Sequence, residues 1–115
     1  MAFRWVASID DVPSGHTKYI TLDCGPVLLA NIGGEIFALA GLCPHRGNSL
    51  EGATLLGHLL DCPWHHFQYD VRTGLNHFPA NVFPDDLPQA RSQLGALAHY
   101  AVELRKDGIW VDLHS

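Results

Sequence analysis

Two short segments of the chain each set a thiol close to an imidazole. The first is Cys43-Pro44-His45-Arg46-Gly47, the second Cys62-Pro63-Trp64-His65, and sixteen residues separate His45 from Cys62. Thiolate sulfur and neutral imidazole nitrogen are ligand types that bind iron or zinc. Zinc sites usually take their ligands as C-x2-4-C with H-x3-5-H, a spacing that mixed C-x-H and C-x-x-H pairs fit poorly. A nucleophilic role for Cys43 or Cys62 would leave the other Cys–His pair unexplained.

The remaining candidates have plainer readings. Cys24 has no His or Cys near it in sequence and reads as a small hydrophobe. His16, His58, His99 and His114 sit in ordinary strand or turn contexts, and His77, close to the second motif, reads as a surface residue. Asp10-Asp11 and Asp85-Asp86 are taken as solvated turns or helix caps rather than paired catalytic carboxylates.

The elements that must position the two motifs read as strands. Phe3–Ser8 and Lys18–Leu22 are short alternating or apolar runs. Val27–Ile32 and Glu35–Ala40 flank Gly33-Gly34, a two-residue hairpin signal. Tyr100–Leu104 and Ile109–Leu113 flank Lys106-Asp107-Gly108, and Val102 and Leu104 alternate with Glu103 and Arg105, as in a sheet with one buried and one wet face. A helix is expected over Gln89–Ala98, capped near Asp86 and weakened by Gly95. From Gly41 to Ala80 the chain is rich in Gly and Pro and holds the clustered Cys and His. It reads as two loop-hairpins inserted between the strand at Glu35–Ala40 and the closing hairpin.

Composition bounds the answer. A chain of 115 residues, 47% hydrophobic and 17% charged, suits one globular domain with a packed core. A net charge of −5 argues against nucleic acid or an anionic membrane as partner. No apolar run approaches the roughly 20 residues of a bilayer span, and the start Met-Ala-Phe-Arg-Trp lacks the pattern of a signal peptide. With an odd number of cysteines, three, a cytoplasmic location and a metal role for clustered Cys and His are expected.

The C-x-H motif followed after sixteen residues by C-x-x-H resembles the Rieske iron–sulfur family. Cys43-Pro44-His45-Arg46-Gly47-Asn48-Ser49-Leu50, Cys62-Pro63-Trp64-His65, Tyr69-Asp70 and Thr73-Gly74 are similar to its ferredoxin branch. The resemblance implies an all-β, Rieske-like fold. That fold is a small antiparallel β-sandwich or barrel, a single domain over 1–115, with an inserted cluster-binding subdomain at about 41–80. It implies one [2Fe–2S] cluster, with Cys43 and Cys62 on one iron and His45 and His65 on the other. Neutral imidazoles in place of two thiolates make electron uptake easier. Rieske potentials accordingly run from roughly −150 to +300 mV, against about −400 mV for plant-type ferredoxins.

Within the family the chain departs from the high-potential respiratory branch. Asn48 and Trp64 stand where that branch has a disulfide, and Phe67 stands where it has a serine hydroxyl on a bridging sulfide, while its tyrosine is kept as Tyr69. Fewer hydrogen bonds to sulfur imply a potential in the lower part of the range. Trp64 is expected to shield the cluster from water or to pack on the neighbouring loop, two roles that are compatible. Pro79, in His77-Phe78-Pro79-Ala80, matches the family's third, proline-bearing loop. His66 occupies a position where the family commonly has glycine; the C-x-x-H spacing favours His65 as ligand. Asn81–His99 is longer than the corresponding link in short Rieske ferredoxins, and its expected role stays open between a docking element, an oligomer contact and a neutral insertion.

The function implied is that of a free one-electron carrier with no substrate chemistry of its own. It would take electrons from a flavin-containing, NAD(P)H-dependent ferredoxin reductase and deliver them to a terminal oxygenase. An alternative is a small electron-transfer subunit of a nitrite-reductase-like complex, although members of that branch often lack the ligands kept here. An oxygenase in its own right would need a mononuclear iron site in a further domain, and a zinc-binding interaction module would be colourless.

Overall fold

Short apolar runs broken by Gly, Pro and Asp favour strands over helices, and that is how the chain folds. The computed structural model describes residues 3–23, 25–42, 49–63, 67–78 and 97–113. Among them the regular elements are ten strands and one 3-10 turn, Ile9–Asp11. The strands are β1 Phe3–Ala7, β2 Thr17–Leu22, β3 Gly25–Ile32, β4 Glu35–Ala40, β5 Thr54–Leu56, β6 Leu59–Asp61, β7 Gln68–Asp70, β8 Asn76–Phe78, β9 His99–Arg105 and β10 Gly108–Asp112. A six-stranded antiparallel sheet runs β1-β10-β9-β4-β3-β2, and a four-stranded sheet runs β5-β6-β7-β8. The helix expected over Gln89–Ala98 lies outside the described residues up to 96; Leu97 and Ala98 are non-helical and lead into β9. Cys24, Asp85, Asp86 and His114 also lie outside the described residues.

The six strands anticipated from the sequence are present and make up the large sheet, Glu35–Ala40 with the expected bounds and the others with ends shifted by one or two residues. Ile32 pairs with Glu35 across Gly33-Gly34, and both glycines have positive φ, 62° and 95°, as a tight primed turn requires. Buried Asn31 braces this corner, its Nδ2 donating to the Val12 carbonyl at 2.7 Å and its Oδ1 accepting from the Gly34 N–H at 2.8 Å. The last hairpin is tighter than expected: Gly108 already pairs with Arg105, so only Lys106 and Asp107 form the turn. Asp107 anchors two indoles, accepting from Trp5 Nε1 on its carbonyl (2.8 Å) and from Trp110 Nε1 on Oδ1 (2.9 Å).

Alternation along β3 and β4 explains the layers. Leu28, Ala30 and Leu39 face one apolar cluster, while Val27, Leu29, Ile36 and Ala38 face a second, shared with Val6, Val12, Ile109 and Val111. Both faces of β3 are therefore buried, which is why its sequence is a continuous apolar run rather than an alternating one. The expected one-sided burial of β9 holds for Tyr100 and Val102 but not for Leu104, which is 48% exposed. Pairing of β9 with β4 is confined to Ala38–Tyr100 and Leu39–His99, so Leu104 projects beyond the shared part of the sheet.

The small sheet is richer than two loop-hairpins. It is a meander of three-residue strands, with β5 and β6 joined through Gly57-His58. Four such strands bury too little to persist alone. They pack against the large sheet through the first cluster, to which they contribute Leu60 and Tyr69 alongside Leu50, Ala53, Leu97 and Val71, the residue after β7. A second tie is made by backbone: the Leu97 N–H donates to the Gly74 carbonyl at 2.7 Å. Gly74 has φ +79°, and a Cβ there would run into the Leu97 carbonyl oxygen. Gly74→Ala is therefore expected to destabilise the fold by at least about 2 kcal/mol, from the left-handed backbone alone and more from the overlap. Chemical denaturation followed by circular dichroism would check this; a change within error would contradict it.

Candidate metal centre

The backbone defines where each motif-bearing loop begins and ends. The Gly41 N–H donates to the Pro26 carbonyl (2.9 Å), and the Leu50 N–H donates to the Gly41 carbonyl (2.8 Å). Between them Leu42 and Ser49 form an antiparallel bridge. The segment that carries Cys43 and His45 thus leaves and returns through one stapled neck, with Leu50 fully buried beneath it. The second motif tops the β6–β7 hairpin. Asp61 pairs with Gln68, and the Cys62 N–H then donates to the Phe67 carbonyl at 2.8 Å, which closes the hairpin.

Cys62 is 1% exposed and belongs to the apolar cluster that holds Leu50, Leu60 and Tyr69. The roots of the two loops therefore share one core. Tyr69 is fully buried on β7, opposite Leu60 on β6. Cys43, His45, Trp64, His65, His66 and Pro79 lie outside the described residues. Among the described residues no three His, Cys, Asp or Glu side chains converge. His77 is exposed, as expected, and so are His58 and His99. His16 is exposed too, its Nδ1 3.1 Å from the Ser14 carbonyl oxygen.

The donor chemistry suits an iron–sulfur cluster. A thiol buried in apolar surroundings resists ionisation, whereas a bound metal deprotonates it outright. Apolar cover over the sulfur also lowers the local dielectric that tunes such a centre.

The family model of the Rieske [2Fe-2S] domain matches residues 2–91. The chain belongs to the Rieske [2Fe–2S] family. Its cofactor is accordingly a [2Fe–2S] cluster. It is 37% identical over 75 residues to the biphenyl dioxygenase ferredoxin subunit of Pseudomonas sp. (strain KKS102), covering 64% of this chain and 69% of that protein. It is 30% identical over 107 residues to human apoptosis-inducing factor 3, covering 92% of this chain but only 16% of that much longer protein. The fold matches a chain of the solved complex of reduced oxygenase and oxidized ferredoxin in carbazole 1,9a-dioxygenase, with a TM-score of 0.77 at 21% identity over 95% of this chain and 91% of that one. No described helix is long and apolar enough to cross a membrane.

The part of the Rieske-like motif beyond the Cys and His has a local structural reason. Asp70 ends β7 and organises the turn into β8. Its Oδ1 accepts from the Arg72 N–H (2.8 Å) and Nε (3.0 Å), and its Oδ2 accepts from a terminal guanidinium nitrogen of Arg72 (2.8 Å). Its carbonyl accepts from the Gly74 N–H at 2.7 Å. Sequence reading recognised these positions without assigning them a role; an Asp two residues before an Arg and four before a Gly is the signal of a side-chain-capped turn.

Hydrogen bonding to the Arg72 side chain is the main reason why the Asp70 carboxyl lies below its ordinary 3.8, with partial burial opposing it. A carboxyl whose pKa falls on folding stabilises the fold above its unfolded value, and that contribution is lost as pH falls through the folded value. Half of the Arg72 side chain is exposed, so Asp70→Asn is expected to cost no more than about 1 kcal/mol at pH 7. The deficit relative to wild type should shrink once the pH drops below about 4. Melting temperatures of both proteins across that range test the sign; a deficit that grows in acid would refute it.

Proposed function

We propose that this chain is a one-electron carrier that passes electrons from a flavin-containing, NAD(P)H-dependent ferredoxin reductase to a terminal oxygenase. The observation that carries the reading is the pair of Cys–His motifs inside the matched family region, the second seated on a closed hairpin with Cys62 buried at its root. The names of the relatives support the partner class, since one is a ferredoxin subunit of a dioxygenase and the matched complex joins a ferredoxin to an oxygenase. Residues 1–115 would act as one unit, with cluster binding confined to about 41–80.

When bound, the cluster supplies one-electron redox chemistry at a higher potential than an all-cysteine site. Cys43 and Cys62 would hold one iron through thiolates, and His45 and His65 the other through neutral imidazoles. Trp64 and Pro79 would keep water from the site. The Tyr69 hydroxyl would donate toward a cysteine sulfur and thereby favour the more negative, reduced state. The net charge of −5 would draw the carrier toward basic faces of its partners. The reducing cytoplasm, where three cysteines stay thiols, is the compartment that suits it.

Three measurements test the assignment. Electron paramagnetic resonance of the dithionite-reduced protein should give the low average g value of a histidine-ligated cluster, with iron and acid-labile sulfide in equal amounts; a colourless, iron-free, folded protein would end the carrier reading. Replacing His65 by Ala should abolish visible absorption, whereas His66→Ala should leave it intact; the reverse result would move the ligand. Tyr69→Phe should lower the midpoint potential by tens of millivolts, since a preference of about 1 kcal/mol for the reduced state corresponds to about 40 mV for one electron. An unchanged potential would remove Tyr69 from the tuning set.

A further inference from the structure

The two motifs grow from different sheets. Cys62 follows β6 of the small sheet, whereas Cys43 stands two residues after Gly41, the first residue beyond β4 of the large sheet. Gly41 is buried; its N–H donates to the Pro26 carbonyl on β3, and its own carbonyl accepts from the Leu50 N–H. It does not have a positive φ, so no turn demands a glycine here. Space does. A Cβ at this position would lie 2.8 Å from Pro26 Cβ and 3.0 Å from both the Pro26 carbonyl carbon and Tyr19 Cε2, well inside the roughly 3.5–4.0 Å at which carbon atoms pack. Neither neighbour yields cheaply. The ring of Pro26 is rigid, and the residue pairs with Thr21 inside β3. Tyr19, on β2 opposite Leu28, packs on the apolar cluster that also holds Leu50 and Cys62.

We propose that Gly41 is a positioning residue for the cluster: by letting the neck of the first loop lie directly on Pro26 and Tyr19, it sets the Cys43–His45 segment at the spacing from Cys62 that a diiron core requires. The inference rests on the cluster assignment above. A cluster shared by two loops tolerates displacement of one of them poorly, since a ligand set must be held to about 0.5 Å. A side chain at position 41 forces a shift of that order, because a 2.8 Å approach has to open to about 3.5 Å. The shift acts on the first loop alone, since the second is rooted on the hairpin closed by Cys62 and Phe67.

The test uses the cluster-loaded protein, with iron per chain, the reduced paramagnetic resonance spectrum and the rate of colour loss to a chelator recorded beside circular dichroism. Gly41→Ala should fold, retain severalfold less iron and lose colour severalfold faster than wild type, with altered g values in the fraction still loaded. Pro26→Gly clears the nearest atom. The double variant Gly41→Ala/Pro26→Gly should therefore regain most of the iron that Gly41→Ala alone loses, while its g values stay altered because Tyr19 still presses on the neck. Gly33→Ala is the control. It puts a side chain on left-handed backbone in the turn before β4, where nothing lies within 4 Å to meet it, so it should lower the melting temperature and leave iron content and g values as in wild type. A purely structural role would make Gly33→Ala and Gly41→Ala lose iron alike, and that result overturns the inference. So does a folded Gly41→Ala protein with wild-type iron, spectrum and colour-loss rate, or a double variant no better loaded than the single one. If Gly41→Ala does not fold, the double variant decides: folded and loaded with altered g values it upholds the inference, and unfolded, unloaded or with wild-type g values it overturns it. A wild-type chain that binds no iron removes the underlying cluster assignment, a result distinct from a loaded wild type whose cluster is indifferent to residue 41.

Discussion

Strands of three residues need a neighbour to lean on, and in this protein that neighbour is the exposed side of β3 and β4 before the small sheet covers it. The apolar cluster formed by Leu28, Leu39, Leu50, Leu60, Leu97 and Tyr69 is one continuous body shared by both sheets. Each leucine so buried contributes about 2 kcal/mol relative to solvent exposure. Cys62 is part of the same body. The sulfur expected to meet the cluster is thus positioned by the packing that makes the small sheet possible, and a change that loosened one would loosen the other.

Around that core, polar groups set boundaries. Two backbone hydrogen bonds and a bridge mark the neck at Gly41–Leu50, and the hydrogen bond from the Cys62 N–H to the Phe67 carbonyl closes the second hairpin. Side chains then serve the two ends of the small sheet differently. At the end away from the motif, Asp70 is consumed by its own turn through Arg72 and the Gly74 N–H. At the end next to the motif, the Gln68 amide nitrogen donates to Asp61 Oδ2. Burial therefore decides which strands form, and local hydrogen bonding decides where loops leave them.

How much of this was legible in the sequence depended on the range of the forces involved. The strands β1–β4, β9 and β10 announced themselves because alternation and glycine-rich turns are local signals. The four short strands did not: three residues carry too little periodicity to register, and their existence is owed to contacts with Leu28, Leu39 and Leu97 far away in sequence. The exposure of Leu104 was missed because an apolar residue in an alternating strand reads as buried unless the partner strand is known to stop short. For the site, family membership and cofactor followed from two four- or five-residue motifs. Cys62 and Tyr69 proved to be core residues, while the other expected ligands lie outside the described residues.

The two indoles that share Asp107 give the molecule a natural optical gauge. Trp5 and Trp110 are register partners on β1 and β10, both with their N–H groups satisfied by one residue of the closing turn, and Arg105 lies 4.2 Å from the centre of the Trp110 ring. Peeling the N-terminal strand from the large sheet would break the Trp5 link first and shift the fluorescence of Trp5 and Trp110. With Trp64 replaced by Phe so that only these two indoles remain, emission would follow the edge of the large sheet and visible colour the bound cluster, and any lag between them would measure how independently the two come apart.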